Sequence, residues 1–218
     1  MRDLLPPTVA VAVAEPADWT GELYDAEAAC LGERAVDSRR RDFTAGRVCA
    51  RRAMTMLGLP AVAVPAAADR SPVWPPGTVG TITHTQGYCA AAVGRDTEIR
   101  AVGMDAEQHR DLGPEVGRLI CLPEEQDLLA RLPSGVFWSA VVFSAKETVY
   151  KIWHPIVGDW LGFHDALVVL DPATETFTAR ITPAKIDAAT VPQPPSVIIG
   201  RFTVEANLVR TAATLPPL

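Results

Sequence analysis

Three features of the sequence predict an α+β fold of two similar halves. There are two long helical stretches with one apolar face each, three or four strand-like runs grouped with each stretch, and a junction between the groups near Arg100. Residues 8–14 read as a buried first strand. Their apolar run is too short, and too soon followed by Glu15 and Asp18, for a secretory leader. Residues 25–31 read as a short helical segment. The first long helix spans 36–57, where Phe43, Ala50, Met54 and Leu57 recur on one face, and Gly58 and Pro60 stop it. An Ala- and Pro-rich extended connection follows at 61–76. Residues 78–83, 88–93 and 99–107 read as strands, with a turn at Gly94-Arg95-Asp96.

The second half repeats the plan. Residues 123–132 open with a proline and acidic side chains, as a helix N-terminus does. The second long helix spans 134–153, capped by Ser134 and stopped by Pro155. Phe137, Val141, Ala145 (or Ser144) and Val149 supply its buried face. Residues 166–170, 177–181, 196–202 and 203–209 read as strands of a closing sheet, and 211–218 as a frayed tail. The halves are residues 1–99 and 100–218, similar α+β units, each a small sheet on a long helix, with a cleft expected between them.

Composition narrows the function classes. Hydrophobic residues make up 48% of the 218, enough for a real core, yet no run approaches the ~18 residues of a membrane span. The four cysteines are scattered without metal-binding spacing, which fits a reducing cytoplasm. A net charge of -6 speaks against nucleic acid as a partner. Against that background, Arg34, Arg39, Arg40, Arg41, Arg47, Arg51 and Arg52 stand with only Asp37 and Asp42 among them. Such a stretch is either a solvated helix face or a local anion site.

Three constellations carry possible chemistry. In Val102-Gly103-Met104-Asp105-Ala106-Glu107, strand alternation puts Asp105 and Glu107 on one face. Carboxylates that close repel unless a cation or protons sit between them, and Mg²⁺ prefers oxygen ligands and shares its shell with phosphates. The alternative is a solvated strand end. In Phe143 to Trp153, Glu147 and Lys151 are four apart on one helix face, with Lys146 about 100° round from Glu147. This polar strip on an apolar helix faces a cleft or forms a surface ion pair. Thr83-His84-Thr85, preceded by Pro72-Val73-Trp74-Pro75, gathers hydroxyls and an imidazole at a strand rim, an inventory suited to phosphate as well as to a structural histidine.

Taken in order, Arg47-x-x-Ala50-Arg51, Pro72-x-Trp74-Pro75, Thr83-His84, Gly103-x-Asp105-x-Glu107 and Phe143-Ser144-x-Lys146-Glu147-x-x-Tyr150-Lys151 resemble the phosphopantetheinyl transferase family. The spacing is similar to its bacterial siderophore and polyketide branch, of the enterobactin-synthase component D type. The similarity runs from about Arg39 to Asp165 and includes Trp160-Leu161-Gly162-Phe163. It implies an enzyme of secondary metabolism that moves 4′-phosphopantetheine from coenzyme A to a serine of an acyl or peptidyl carrier protein, releasing 3′,5′-ADP. It further implies a monomer of two pseudo-symmetric halves with coenzyme A and the active site in the cleft between them, and with Asp105, Glu107 and Glu147 holding Mg²⁺ (Mn²⁺ being the alternative). By the same resemblance Arg39, Arg47 and His84 hold the 3′-phosphate, with Thr83 beside them, and Lys146 and Lys151 serve the pyrophosphate. Glu147 is expected to act as base, directly or through a metal-bound water, and Lys151 to stabilise charge on the leaving phosphate. The loop before Pro-x-Trp-Pro departs from the pattern: similar proteins often carry a lysine there, whereas this chain has Ala66-Ala67-Ala68-Asp69-Arg70, with Arg70 as the substitute. Two rival classes are a metal-dependent phosphodiesterase and a non-catalytic module that binds carrier proteins.

Overall fold

The computed structural model describes residues 1–32 and 34–218, and all their side chains but that of Arg2. In chain order its main elements are β1 (Ala10–Val13), α1 (Asp25–Ala28), α2 (Asp37–Met56), β2 (Thr78–Thr85), β3 (Tyr88–Arg95), β4 (Ala101–Gln108), α3 (Gly113–Ile120), α4 (Pro123–Leu129), α5 (Trp138–Val157), β5 (Ala166–Asp171), β6 (Thr176–Ile181), α6 (Pro183–Ala188), β7 (Val197–Val204) and β8 (Leu208–Leu215). This is the α+β mixture expected. The chain divides into two compact units. One comprises Arg2, Pro6–Val102 and Pro216–Leu218; the other comprises Met1, Asp3–Leu5 and Gly103–Leu215.

In the first unit β3 is the middle of a three-stranded sheet, ordered β1-β3-β2. Both pairings are antiparallel, with Ala12 opposite Ala91 and Thr83 opposite Ala90. Small side chains let α2 lie close on this sheet: Cys49, Ala50 and Ala53 of the helix meet Ala91 and Val93, and Met54 and Val64 fill the space beside them. The stop at Gly58 holds, since this residue takes φ 68°, where glycine meets no Cβ clash.

The second unit orders its five strands β4-β8-β7-β6-β5. Along β5, β6 and β7 burial alternates residue by residue, so that Val168, Leu170, Phe177, Ala179, Ile198 and Phe202 form one inner face. Buried hydroxyls join α5 to β8. The Thr211 hydroxyl lies 2.9 Å from the Ser144 hydroxyl and 2.7 Å from the Thr148 hydroxyl, and donates to the Ser144 carbonyl. Polar groups taken out of water need such partners.

Four expectations need correction here. The strand expected over 203–209 is instead the end of β7, a connection at 205–207 and the start of β8, so the hairpin turn falls where a strand was read. The second long helix starts at Trp138 rather than Ser134, and Pro155 lies inside it. So near the end, proline removes one backbone bond without stopping the helix, which runs on to a left-handed Gly158. Phe137, expected in the buried face, precedes the helix and is 44% exposed. Residues 211–218 do not fray as a whole. Through Leu215 they belong to β8, which sits between β4 and β7, and Thr211 is fully buried.

Candidate active site

The carboxylate strand and the polar helix strip meet. Asp105 and Glu107 share a face of β4 with Gly103, and that face lies against α5. A Cβ on Gly103 would collide with the Thr148 carbonyl oxygen and crowd the Ile152 side chain, so glycine here allows an approach no other residue permits. The approach brings the Lys151 ammonium onto the strand, where it donates to Asp105 Oδ1 at 2.8 Å and to the Met104 carbonyl at 3.1 Å. Asp105 is buried, whereas Glu107, Glu147 and Lys151 are half-buried.

The carboxylates feel one another. Burial first, and then the charge of Asp105, pushes the Glu107 carboxyl up to about 7. Burial likewise raises Glu147 above the usual carboxylate range, with Lys151 opposing and Asp105 adding to the rise. Three hard oxygen donors are the set that a Mg²⁺-like cation takes, and their repulsion is what such a cation relieves. The residues therefore fit a divalent metal by chemistry and charge. Among the described residues, no three His, Cys, Asp or Glu side chains are drawn together into ligating geometry.

Lys146 does not join this cluster. The two lysines are five residues apart, about 140° round the helix, and Lys146 turns inward. Its ammonium donates to Glu125 Oε2 at 2.7 Å, the Ile120 carbonyl at 2.9 Å and the Phe163 carbonyl at 2.6 Å. An ammonium has three hydrogens, and these contacts use them all. The structure thus places the Lys146 ammonium in a buried ion pair with Glu125. With Glu147, Tyr150, Trp160, Leu161 and Phe163, Lys146 lines a small cavity of about 70 Å³.

The arginine stretch resolves into separate roles. Arg51 pairs with the buried Glu27 and lies 4.3 Å from the centre of the Tyr24 ring. Arg52 bridges Asp18 and Glu15. Arg47 is 7% exposed; its guanidinium stacks 3.8 Å from the centre of the Phe43 ring, and its Nε donates to the Val64 carbonyl at 2.9 Å. Arg39, Arg47, Arg70 and His84 all line one cavity of about 260 Å³, with Ser38, Asp42, Phe43, Pro72 and Ile82. Ile82 and His84 share a face of β2, so Thr83 points the other way; it is buried and is no part of this wall. Arg70 reaches the cavity from the tip of a hairpin closed by the Ala67–Ser71 backbone bond and the Ala66–Pro72 bridge, with its own φ at 73°. Burial lowers the Arg47 pKa to about 10, with Glu27 the chief opposing influence, so the cation persists at neutral pH. The sequence motifs do not single out Ser38, Asp42 and Phe43, although these fall with Arg39 and Arg47 at helical spacing on one side of α2.

Comparison with known proteins finds matches in both units. The family described as the 4′-phosphopantetheinyl transferase N-terminal domain matches residues 26–94, and the 4′-phosphopantetheinyl transferase superfamily matches residues 101–194. The chain is 40% identical over 192 residues to 4′-phosphopantetheinyl transferase PptT of Mycobacterium tuberculosis, covering 87% of this chain and 85% of that one. It is 41% identical over 169 residues to 4′-phosphopantetheinyl transferase Svp of Streptomyces mobaraensis, covering 76% and 68%. With enterobactin synthase component D of Salmonella typhimurium it shares 34% over 143 residues, or 62% and 57% of the two chains. The chain therefore belongs to the 4′-phosphopantetheinyl transferase family, enzymes that transfer phosphopantetheine from coenzyme A to carrier proteins.

Proposed function

We propose that transfer to a carrier-protein serine is carried out by the β4–α5 cluster, with the arginine cavity of the first unit holding the 3′-phosphate of coenzyme A. The observation that carries this reading is the gathering of Asp105, Glu107, Glu147 and Lys151 where β4 meets α5. Asp105, Glu107 and Glu147 would hold Mg²⁺, which when bound supplies Lewis-acid neutralisation of the pyrophosphate. Glu147, its proton affinity raised by burial, accepts the proton of the attacking serine. The serine oxygen bonds to the β-phosphorus as the bond to the bridging oxygen breaks, and 3′,5′-ADP leaves. Lys151 offsets the charge that builds on the departing phosphate. Arg39, Arg47, Arg70 and His84 take the 3′-phosphate. Neither the phosphodiesterase reading nor the non-catalytic one is supported by the relatives, whose names are those of transferases and a synthase component.

The same reading places the enzyme in the cytoplasm, as a monomer serving acyl or peptidyl carriers of siderophore or other secondary-metabolite synthesis. Its support is the four cysteines without disulfides and the kinship with an enterobactin synthase component. Among the described residues no helix is long and apolar enough to cross a membrane.

The test is the mass of an apo carrier protein incubated with coenzyme A and Mg²⁺. The parent enzyme should add the phosphopantetheine mass. Glu147→Gln should slow that addition by at least the roughly 10²–10⁴-fold of a lost general base, and Asp105→Ala, which removes a metal ligand, should abolish it. Near-normal rates in either variant would mean the cluster is not the catalytic centre.

A further inference from the structure

Glu27 lies outside every motif described above, yet it is fully buried and its carboxylate is completely engaged. One oxygen accepts the Val64 N–H at 3.0 Å. The other accepts the Tyr24 N–H at 3.0 Å and a hydrogen of the Arg51 guanidinium. Val64, also fully buried, is held on its other side as well, because its carbonyl accepts from Arg47 Nε at 2.9 Å. A continuous chain of contacts therefore runs Glu27, Val64, Arg47. Phe43 fixes the plane of the same guanidinium by stacking on it. With Nε tied and the plane set, Arg47 Nη2 is buried without a hydrogen-bond partner beside a cavity that Arg47 itself lines. A buried guanidinium with an unused donor at a cavity wall is built to receive an anion. The hairpin that carries Arg70 also starts at this clamp, since the Val73 N–H bonds to the carbonyl of Pro65, the residue after Val64.

We propose that Glu27 is the positioning residue of the anion cavity: by clamping Val64 it fixes the Arg47 guanidinium, and the base of the Arg70 hairpin, in the orientation that receives the 3′-phosphate. This rests on the assignment of that cavity to the 3′-phosphate. Orientation counts because charge-assisted hydrogen bonds weaken steeply once the donor leaves line. Glu27 touches no ligand itself.

The experiment compares coenzyme A with 3′-dephospho-coenzyme A in steady-state kinetics. Glu27→Gln should raise KM for coenzyme A about tenfold, the loss expected of one charge-assisted bond, while kcat and KM for the dephospho substrate stay near the parent values. Glu27→Gln leaves Arg51 buried without its counter-charge, so the double variant Glu27→Gln/Arg51→Met is measured alongside it. In that variant neither charge is buried alone, and the same selective rise is expected. Added to Arg47→Ala, Glu27→Gln should raise KM for coenzyme A no further, because it acts through Arg47; a general structural defect would add to the loss. Equal losses on both substrates in Arg47→Ala would overturn the 3′-phosphate assignment, and this proposal with it. A selective loss in Arg47→Ala with none in Glu27→Gln or the double variant would overturn the positioning role alone.

Discussion

Lys146 and Lys151 show how far two like residues on one helix diverge once packing is known. The Lys146 side chain is 2% exposed and balances a Glu125 side chain that is 0% exposed. Lys151 is 24% exposed and sits on Asp105 at the carboxylate cluster. Lys146→Met leaves a buried carboxylate alone and should cost about 3–5 kcal/mol of stability. Lys151→Met should cost less, about 1.5–3 kcal/mol for a bond to a charged group, and should lower kcat. Added Mg²⁺ separates the two. It should recover the melting temperature of Lys151→Met, by supplying positive charge beside Asp105, and should do nothing for Lys146→Met. The opposite order of recovery would contradict the two roles. Arg70 offers a second test at this scale. A non-glycine residue at φ 73° carries roughly 1–2 kcal/mol of local strain. Arg70→Gly should therefore raise stability by about 1 kcal/mol while weakening coenzyme A binding about tenfold, and Arg70→Lys should leave the strain in place. Unchanged coenzyme A affinity in Arg70→Gly would remove Arg70 from the phosphate site.

Among the elements, β4 against α5 is the contact on which the cluster depends, and Gly103 sets its spacing. Gly103→Ala should force strand and helix apart, at the roughly 1–3 kcal/mol of an overpacked core, and should pull Lys151 off Asp105. Turnover should fall by more than the stability loss explains, in an assay run well below the variant's melting temperature. A folded Gly103→Ala enzyme of parental activity would show that the close approach is not needed. Much of this architecture is legible in the sequence. The first long helix can be read to within a residue at each end, because one apolar stripe and an unambiguous Gly58/Pro60 stop define it. Asp105 and Glu107 are readable as a pair because strand alternation is a local rule. What stays hidden depends on distant partners. The place of the Lys146 ammonium is set by Glu125, 21 residues away, and that of the Arg47 guanidinium by Val64. The end of β8 is hidden because Thr211, Ala212 and Ala213 look like a polar, small-residue tail, and become strand only with Ser144 and Thr148 packed on them. Helix α3 between Gly113 and Ile120 leaves no clear signal either, its few apolar residues being too short a run to show a period.

At the scale of the whole chain, both units repeat one buried device. Glu27 and Glu125 each stand at the third position of a short helix, each is fully buried, and each takes back the N–H of its own helix cap, Tyr24 or Leu122. Each pairs with a cation from its unit's long helix, Arg51 or Lys146, and each accepts a backbone N–H from later in the chain, Val64 or Val168. The device stands in different surroundings: cations line a cavity in the unit around α2, and carboxylates lie along β4 and α5 in the other. If residues 1–99 take the nucleotide and residues 100–218 take the metal, the two ligands should leave separate footprints. Adenosine 3′,5′-bisphosphate without metal should slow amide hydrogen exchange in α2 and in residues 64–73, whereas Mg²⁺ alone should slow it in β4 and α5. A ligand at about 100 times its Kd stabilises by about 2.7 kcal/mol, or roughly 100-fold slower exchange for amides that exchange only when the bound state opens. That margin is large enough to map by mass spectrometry of peptides. Arg47→Ala should erase the first footprint and spare the second, and Asp105→Ala should do the reverse. Metal protection appearing in α2 but not in β4, or nucleotide protection confined to α5, would overturn the division of labour, because each ligand would then be held by the unit whose charges repel it.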